Sequence, residues 1–582
     1  MNTCTVIRLC LCLLLSALQV GMTEAAELSA QTLSFQDETR RAIFKELADS
    51  GSDSLLLPEQ VAPSSFSATS RKLLDAMSGP AHYDPAKARL GLGLTRSAEP
   101  TSLITLREVV LTAIENNLDG RMARLLPALR GADVMEAEGA FDWEAFASSA
   151  YRRVNKPKPA EAVGGTPISG DTTEQNTVEE RLGMRKKVLT GATIEASTGL
   201  SYLRDSSRMM EYIPNPAYSA DATLTITQPL LRNAGPTVTG FRIDFARTAQ
   251  DRDRFQAEQT LSQVALAAET AYWELAVALQ RLLIAQELLD RTAETCRSLE
   301  ARAGIDVKPV QMAQAKSFLL SRTDELQRAQ TSVRSAGDKL RELINSPAIS
   351  LLAETVPLPA DRPTVTEGNF SLSAAVTTSL GRNPELRQAL LEVENARLEA
   401  EVNRIQTLPQ LNLKLEGGLY GMGSDYGKAY KNWDRSAHYG GSALLELAWP
   451  LENRTARAAF DRAELTLRDR KLNYRKKVLA VTGKIKESLR KVQMTSALSD
   501  VSREARYAAA ENLRVLQERE KDVESLTPEF LLDLKLNAQQ RLAEAELREY
   551  QNLAEFRTAL AGYAHACGTL LERYAIAADA SR

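Results

Sequence analysis

Apolar and small residues recur at steps of three and four over long stretches of the chain, which predicts long amphipathic helices. The longest stretch of the first half runs from about Val238 to Ala303. A second stretch continues to about Asn345, and Gly304 interrupts the two. The pattern predicts a long helical hairpin. Its first arm has a heptad seam rich in alanine: Leu261, Val264, Ala268, Ala271, Leu275, Ala278 and Leu282.

The same order of predicted elements occurs twice along the chain, which indicates an internal duplication. Helical patterns open the two halves at about 103–138 and 372–406. Two long helical patterns end the second half, at about 455–520 and from Pro528 to about Tyr574. Positions of the two opening helices align at one common offset: Leu106 with Leu372, Val110 with Val376, Ile114 with Leu380, and Asn117 with Asn383.

Extended segments lie between the helices of each half. In the first half they fall at about 141–153, 190–202 and 222–228, and we interpret the last as a continuation of the one before it. In the second half they fall at about 408–419 and 441–449. Each half then supplies two strands, and the chain supplies four. The strands alternate apolar with polar residues, as in Leu411-Asn412-Leu413-Lys414-Leu415-Glu416.

Such strands suit the wall of a membrane barrel and equally a soluble two-layer sheet, and both interpretations are open at this point. Four strands leave two open edges, whose unpaired backbone groups are costly in a bilayer. Small closed barrels need about eight strands, so several copies would each contribute a part. In the membrane interpretation the lipid-facing residues are Leu224, Ile226, Leu411, Leu413, Leu415, Leu445, Leu447 and Trp449.

The composition suits long packed helices better than a large enzyme core, because aromatic residues make up only 5% of the chain. The formal net charge is −3, which gives no reason to expect nucleic acid as a partner. Residues 1–26 are predicted to be a secretory signal, with Arg8 before an apolar stretch and small residues ending at Ala26. Residues 27–100 are predicted to be an N-terminal extension with partial order.

The sequence does not predict an enzyme. Its three histidines, His82, His438 and His565, are not in metal-ligand spacing, and the common catalytic motifs are missing. We therefore predict no catalytic residues, no metal site and no cofactor. Beyond the signal, Cys296 and Cys567 are compatible with a disulfide or with two buried thiols.

Several short phrases strengthen this picture. They are Gly139-Ala140-Phe141-Asp142, Leu189-Thr190-Gly191-Ala192, the segment Thr227 to Gly235, Arg382-Asn383-Pro384-Glu385-Leu386, and Ala448-Trp449-Pro450-Leu451. Together with the duplicated order of helices and strands, they resemble the TolC-like outer-membrane efflux channel family over about residues 100–575. No single phrase is specific, whereas their order and spacing are.

This resemblance implies a mainly α fold with a small β part. Duplicated long antiparallel helical hairpins would build an α-barrel tunnel, and four strands per chain would contribute to a trimeric twelve-stranded outer-membrane β-barrel. The repeats would span 101–350 and 371–575, with a linker at 351–370 and a tail at 576–582.

The function implied is that of a passive exit duct for efflux or type I secretion. The homotrimer would dock on a periplasmic adaptor and an inner-membrane pump. It would lie in the outer membrane, in contact with its lipid, with the helical part in the periplasm. The other candidate is a periplasmic or surface coiled-coil protein with a structural or adhesive role, which explains the heptads but not the paired strands.

The ends of the helical hairpins are the candidate adaptor-docking sites that the resemblance implies: Gly304, Ile305, Asp306, Asp522, Glu524 and Leu526. The first end lacks the later Ser and Asp that are common in the family, and the second lacks a glycine. Simple helix-ending turns are the alternative, with Gly304 as a C-cap. The acidic residues could form charged rings near the axis of a tube, or they are solvated surface charges.

Aromatic residues near the predicted strands are candidates for the girdles of a membrane barrel. These residues are Trp143, Trp433, Trp449 and Tyr420. Ordinary packing is the alternative for each of them, and the stretch from Gly421 to Trp433 is predicted to be an outer loop.

Overall fold

The computed structural model divides the chain into two compact units, and each unit draws on both halves of the sequence. Unit 1 comprises Met1–Asp37, Leu129–Gln250 and Leu391–Asn473, and unit 2 comprises Glu38–Ala128, Asp251–Leu390 and Tyr474–Arg582. The structure describes residues 35, 37–42, 45, 66–80, 82–91, 101–157, 161–163, 166–168, 172–206, 213–302, 307–351, 355–366, 368, 370–434, 438–519 and 528–576.

Most described residues are helical. The helices are α1 (Ala68–Ser78), α2 (Leu106–Asn116), α3 (Leu118–Glu138), α4 (Pro236–Thr239), α5 (Phe241–Ala301), α6 (Pro309–Ile344), α7 (Leu372–Arg382), α8 (Pro384–Gln406), α9 (Tyr426–Asp434), α10 (Arg454–Arg519), α11 (Pro528–Cys567) and α12 (Leu570–Arg573). The strands are β1 (Thr101–Ile104), β2 (Glu144–Pro157), β3 (Glu161–Val163), β4 (Thr166–Ile168), β5 (Thr172–Lys187), β6 (Thr193–Asp205), β7 (Ala217–Pro229), β8 (Val356–Pro359), β9 (Gln410–Gly423) and β10 (Tyr439–Ala448).

The long helices lie where the periodicity predicts them. α5 has 61 residues and α10 has 66, which corresponds to about 90 and 100 Å at 1.5 Å per residue. Both later helices of the hairpins, α6 and α11, begin with a proline, whose missing N–H costs nothing at the first helical position. The mainly α fold with a smaller β part is therefore confirmed.

The core of unit 2 forms around the alanine-rich seam of α5. All seven seam positions predicted from the heptads are buried, from Leu261 to Leu282. They join a cluster with Val110 of α2, Leu340 of α6 and Ala561 of α11. Small side chains let the backbones of neighbouring helices approach closely. The alanines of the seam therefore lie where α5 contacts other helices.

Unit 1 contains one large antiparallel sheet, with the strand order β10-β9-β7-β6-β5-β2. Within the described residues this sheet has six strands, where the sequence analysis expected four. β7 is a separate strand rather than a continuation of β6, and β5 occupies a stretch for which the sequence analysis predicted no strand. Charged residues hide the alternation of β5, and its backbone hydrogen bonds come from β2 and β6 on either side.

Equivalent asparagines interrupt the opening helices of both halves. Asn117 lies between α2 and α3, and its Nδ2 donates to the carbonyl oxygen of Leu343 at 3.1 Å. Asn383 lies between α7 and α8, and its Nδ2 donates to the carbonyl oxygen of Ala566 at 3.0 Å. Each Oδ1 accepts a backbone N–H at the start of the next helix. The two asparagines therefore fasten the opening helices to the ends of α6 and α11, the last long helix of each half.

Part of the N-terminal extension is ordered and packs within unit 2. Leu74 of α1 is fully buried in a cluster with Tyr507, Leu513 and Leu542. The predicted linker 351–370 likewise contains structure, because β8 pairs in parallel with β1 and all its residues are buried. α9 replaces part of the stretch that was expected to be an outer loop.

Cys296 and Cys567 are free, buried thiols, which agrees with the second of the two interpretations above. In the part of the chain that the structure describes, His, Cys, Asp and Glu residues form no cluster of three or more that could hold a metal ion.

None of the helices in the described ranges combines length with apolarity to the degree that crossing a membrane requires.

Candidate functional site

The register of the large sheet decides which side chains share a face. Residues paired across neighbouring strands lie on the same face, and successive residues of one strand alternate between faces. Ile226 pairs with Leu415, and Leu415 pairs with Ala443. One face, called the apolar face below, therefore carries all the predicted lipid-facing residues that lie within strands: Leu224, Ile226, Leu411, Leu413, Leu415, Leu445 and Leu447. Trp449, the remaining predicted residue, follows the last residue of β10.

The opposite face of the sheet, called the polar face below, has a different chemistry. It carries Thr223, Thr225, Asn412, Lys414, Glu416, Ser442 and Glu446. Leu444 is an apolar exception on this face, and it is 54% exposed. The contrast between the faces is therefore strong on β7 and β9 and weaker on β10, as the alternation in the sequence predicts.

β5, which the sequence analysis did not predict, and β6 continue the same two faces. On β5, Leu182 and Met184 lie in rows with the apolar face, whereas Arg181 and Arg185 lie on the polar face. On β6, Ala196 pairs with Leu224 and extends the apolar face. In the sequence of β5, Leu182 and Met184 alternate with Arg181 and Arg185, which is the pattern of a strand. This alternation is shorter than the one on β9, so it was a weak signal.

The apolar face lies at the surface of unit 1. Leu445 is 62% exposed and Leu447 is 66% exposed. Exposed apolar surface of this extent on a regular sheet marks a contact with another apolar phase or with a partner. The apolar residues of β5 and β6 belong to this face, so the same phase or partner would cover them as well.

Aromatic residues lie near both ends of the apolar face. Tyr202 and Tyr218 pair across β6 and β7 with their ring centroids 5.3 Å apart, and Tyr151 lies on the same face of β2. Trp143 lies one residue before β2 at the other end, and Lys186 Nζ is 5.4 Å from the centroid of its ring. Trp143 and Tyr151 are separated by about 26 Å along the strand at 3.3 Å per residue.

The other predicted girdle residues fall in different places. Trp449 follows β10 at the same end of the sheet as Trp143. Trp433 lies on α9 and donates from Nε1 to the carbonyl oxygen of Ala220 at 2.9 Å. Tyr420 lies on the polar face, because it pairs with Asp221. The structure therefore brings three of the four aromatic residues to the ends of the apolar face or beside it, and it excludes Tyr420 from that face.

One carboxylate interrupts the apolar face. Glu180 of β5 lies between Val178 and Leu182 on that face, and it is exposed. It pairs with Leu200 of β6, next to the row of Tyr202. If a bilayer covers this face, a charged side chain on it costs little near the interface and much more at the midplane. Glu180 would then lie near the interface, at the same level as the tyrosines.

A tight turn closes the sheet at the end where α4 and α5 follow. Gly191 has φ of 91°, and a Cβ there would lie 2.5 Å from the carbonyl oxygen of Asn233. Gln228 Nε2 donates to the carbonyl oxygen of Thr190 at 3.0 Å. The turn before β6 and the end of β7 are thus joined to each other. The two sequence phrases around Thr190 and Gln228 supply the residues of this contact.

The hairpin ends of unit 2 are the second candidate site. Gly304, Ile305, Asp306, Asp522, Glu524 and Leu526 lie outside the described residues. Next to them, Gln314 Nε2 of α6 donates to Asp533 Oδ1 of α11 at 2.9 Å. Further along, Arg322 donates to Gln540 Oε1 at 2.9 Å. The starts of α6 and α11 therefore lie side by side, which brings the described ends of both hairpins to one end of unit 2.

A buried ionic network fastens the N-terminal segment, and sequence reasoning missed it. The Arg506 side chain is 1% exposed and forms an ion pair with Glu549, which is 3% exposed. It also donates to Asp75 Oδ1 at 2.6 Å and to Ser78 Oγ at 3.1 Å, both on α1. A buried charge needs such partners, so this arginine fixes α1 onto α10 and α11.

A second contact joins the same segment to α11. Tyr83 donates its hydroxyl hydrogen to Glu546 Oε2. Burial raises the pKa of Glu546 to about 8, although the hydrogen bond from Tyr83 lowers it. Its other oxygen, Oε1, is buried and has no hydrogen-bond partner among the described residues. The site therefore favours the neutral form of this carboxyl group.

Residues 375–521 match the family model described as outer membrane efflux protein, which confirms the resemblance seen in the sequence. A comparison with curated protein sequences found no match.

Solved structures of outer-membrane proteins have the same fold. The Campylobacter jejuni CmeC channel aligns with a TM-score of 0.54 and 15% identity, over 83% of this chain and 92% of that chain. VceC from Vibrio cholerae aligns at 0.53 and 14%, over 80% and 96%. The open-state MtrE channel of Neisseria gonorrhoeae aligns at 0.52 and 17%, over 79% and 89%. At these identities the likeness establishes the fold.

Proposed function

We propose that this chain, which has the fold of the outer-membrane efflux channels, forms a passive trimeric exit duct in the outer membrane. The observation that carries the proposal is the exposed apolar face of the large sheet, which extends from β5 to β10 and has aromatic residues towards both ends. A soluble sheet would cover such a face with a second layer, whereas a bilayer covers it with lipid. Leu224, Leu413 and Leu445, with the other residues of that face, are then in contact with lipid.

The polar face then lines the duct. Lys414, Glu416 and Glu446 would border water-filled space, where charged side chains stay solvated. The sheet leaves β2 and β10 at its edges, and open edges are costly in a bilayer. Several copies must therefore combine to close a wall, which agrees with the trimer implied by the family resemblance.

The helical part of the chain would lie in the periplasm, as the family resemblance implies. The hairpin ends, which include Asp306 and Asp522, are the proposed contact with a periplasmic adaptor and through it with an inner-membrane pump. The side-by-side starts of α6 and α11 support one common docking end. Such a duct carries cargo for efflux or type I secretion and uses the energy of the pump.

A matched pair of neighbouring leucines on β10 tests the lipid contact. Leu445 lies on the apolar face and Leu444 on the polar face. Leu445→Arg should reduce outer-membrane assembly strongly, because an arginine facing lipid costs about 2–4 kcal/mol at the midplane. Leu444→Arg should assemble like the wild type. The measurement is the amount of trimer extracted by detergent from outer membranes, together with conductance in a planar bilayer.

The same experiment separates the duct from a coiled-coil scaffold. A scaffold would be released without detergent, would give no discrete conductance steps, and would respond equally to both substitutions. Equal behaviour of the two variants would contradict the proposed orientation of the sheet.

A further inference from the structure

The position of β5 and β6 within the large sheet sets the size of any wall that the sheet builds. β5 pairs with β2 from Glu144↔Arg185 to Pro157↔Thr172, and with β6 from Gln175↔Asp205 to Lys187↔Thr193. β6 in turn pairs with β7 from Thr193↔Thr227 to Leu203↔Ala217. The β5–β6 pair therefore lies inside the sheet, and it is not a hairpin attached to its edge. A wall that contains β2 and β7 must contain β5 and β6 as well.

The chemistry of both strands agrees with a place in the wall. Leu182, Met184 and Ala196 continue the apolar face, and Arg181 and Glu195 continue the polar face. A hairpin that projected into water beyond a membrane would need no such division between its faces.

The two edges of the sheet suit each other. Each neighbouring pair of strands is antiparallel, so β2 and β10 run in opposite directions. β2 of one copy can therefore pair antiparallel with β10 of another copy, and the apolar faces of both copies then lie on the same side. Most residues of β2 and β10 are exposed in the single chain. Nothing in the described part of the chain covers these edges, and in a bilayer their backbone groups need partners.

We propose that β2 of each copy pairs with β10 of the next, and that three copies enclose a barrel of eighteen strands rather than twelve. This inference rests on the proposed trimeric duct. Its basis is the set of six strands that the described part of each chain places in one sheet. The second copy of this chain is the partner that the edges fit.

A wall of this size has a consequence for the cargo. Barrel diameter grows roughly linearly with strand number, so eighteen strands give a diameter about half again that of twelve. Barrels of about 16–18 strands leave an aqueous channel. The outer-membrane part of this duct would therefore be wide enough to admit bulky hydrated cargo.

Strand counting on the assembled protein is the direct test. Single-particle imaging of the full-length trimer, extracted from outer membranes, should show eighteen strands in the wall. A trimer with twelve strands would overturn this inference and leave the proposed duct intact. A protein that does not form membrane trimers at all would overturn both.

Cysteine pairs test the same arrangement without imaging, in a background with Cys296→Ala and Cys567→Ala. Ser197 Oγ and Thr223 Oγ1 lie 2.9 Å apart across β6 and β7. Ser197→Cys with Thr223→Cys should therefore form a disulfide within one chain of the membrane trimer, detected by mass spectrometry. If β5 and β6 lay outside the wall, this pair would stay reduced.

The edges are tested by Ser148→Cys on β2, combined in turn with Gly440→Cys, Ser442→Cys or Leu444→Cys on β10. One of these combinations should give covalent trimers on a denaturing gel after mild oxidation. Ser197→Cys with Ser442→Cys, which joins strands that are not neighbours, is the matched control and should stay monomeric. Covalent trimers in the control, or none in any edge combination, would contradict the pairing of β2 with β10.

Discussion

The two halves of the chain share their helices and differ in their strands. Thr105 and Ser371 occupy the same position as N-caps of the opening helices α2 and α7, and Asn117 and Asn383 occupy the same position as clamps. Among the described residues, however, the first half gives four strands to the large sheet and the second half gives two. Extra residues within a helix that packs on several neighbours would disturb all of those contacts. An antiparallel sheet can instead take up an extra β-hairpin between two of its strands.

The halves also differ in how they hold the N-terminal segment. On the second half, Arg506 and Glu546 contact Asp75 and Tyr83 in buried surroundings. On the first half, Leu90 is buried in the core of unit 2, whereas the ion pair between Arg89 and Asp290 of α5 is exposed. The charged side chains that hold this segment are therefore buried on the second half, and Arg89 forms an exposed pair on the first. This difference predicts which substitutions of charged residues matter most.

The buried anchor should show the largest effect. Arg506→Met leaves Glu549 buried with only Arg503, whose Nε is 3.6 Å away. Breaking a buried pair in this way costs about 3–5 kcal/mol of unfolding free energy. Thermal unfolding in detergent measures it. Adding Glu549→Leu should restore much of the loss, since it removes the unpaired charge, and a double variant as unstable as the single one would contradict this account.

The pH dependence should show the next largest effect. Because the folded-state pKa of Glu546 is raised to about 8, its contribution to stability is complete below its unfolded pKa and is lost as pH rises through about 8. Between pH 5 and 8 the wild type should therefore lose about 3 kcal/mol relative to Glu546→Gln.

Thermal midpoints of both proteins across that pH range provide the measurement. Glu544→Gln, on the exposed side of the same helix, is the control for removal of a carboxylate. Parallel pH curves for the wild type and Glu546→Gln would show that Glu546 is charged in the folded protein.

The two clamps should show smaller and similar effects. Asn117→Ala removes a bond to a helix-end carbonyl and bonds from two backbone N–H groups, and Asn383→Ala removes a bond to a helix-end carbonyl and one from a backbone N–H. Each substitution should cost about 1–2 kcal/mol in total. Chemical unfolding of the single variants measures each cost, and the double variant should show their sum. Clearly unequal costs would mean that the halves no longer use these asparagines in the same way.

The exposed anchor should show the smallest effect. Arg89→Ala removes an ion pair whose side chains are 64% and 53% exposed, and such pairs contribute about 0.2–1 kcal/mol. Thermal unfolding at low and high salt measures it, and high salt should remove most of the difference. An effect as large as that of Arg506→Met would contradict the distinction between the buried and the exposed ion pair.

Local periodicity made the helices and two faces of the sheet predictable. The heptads of α5 placed seven buried residues correctly, because a helix repeats its contacts every three to four residues whatever it packs against. The alternation around Leu411, Leu413 and Leu415 likewise put them on one face, because a strand has a period of two. These signals are written in neighbouring residues and need no information from elsewhere in the chain.

The remaining features depend on partners that are distant in sequence. β5 becomes a strand because β2 and β6 bond it on both sides, although its own residues are mostly polar or charged and predicted no strand. Arg506 can be buried because Asp75 and Glu549 surround it, and neither neighbours it in the chain. The sequence by itself determined the helices, their duplication and the apolar face. Only the tertiary structure decided the number of strands and the anchoring of the N-terminal segment, because both depend on long-range pairing.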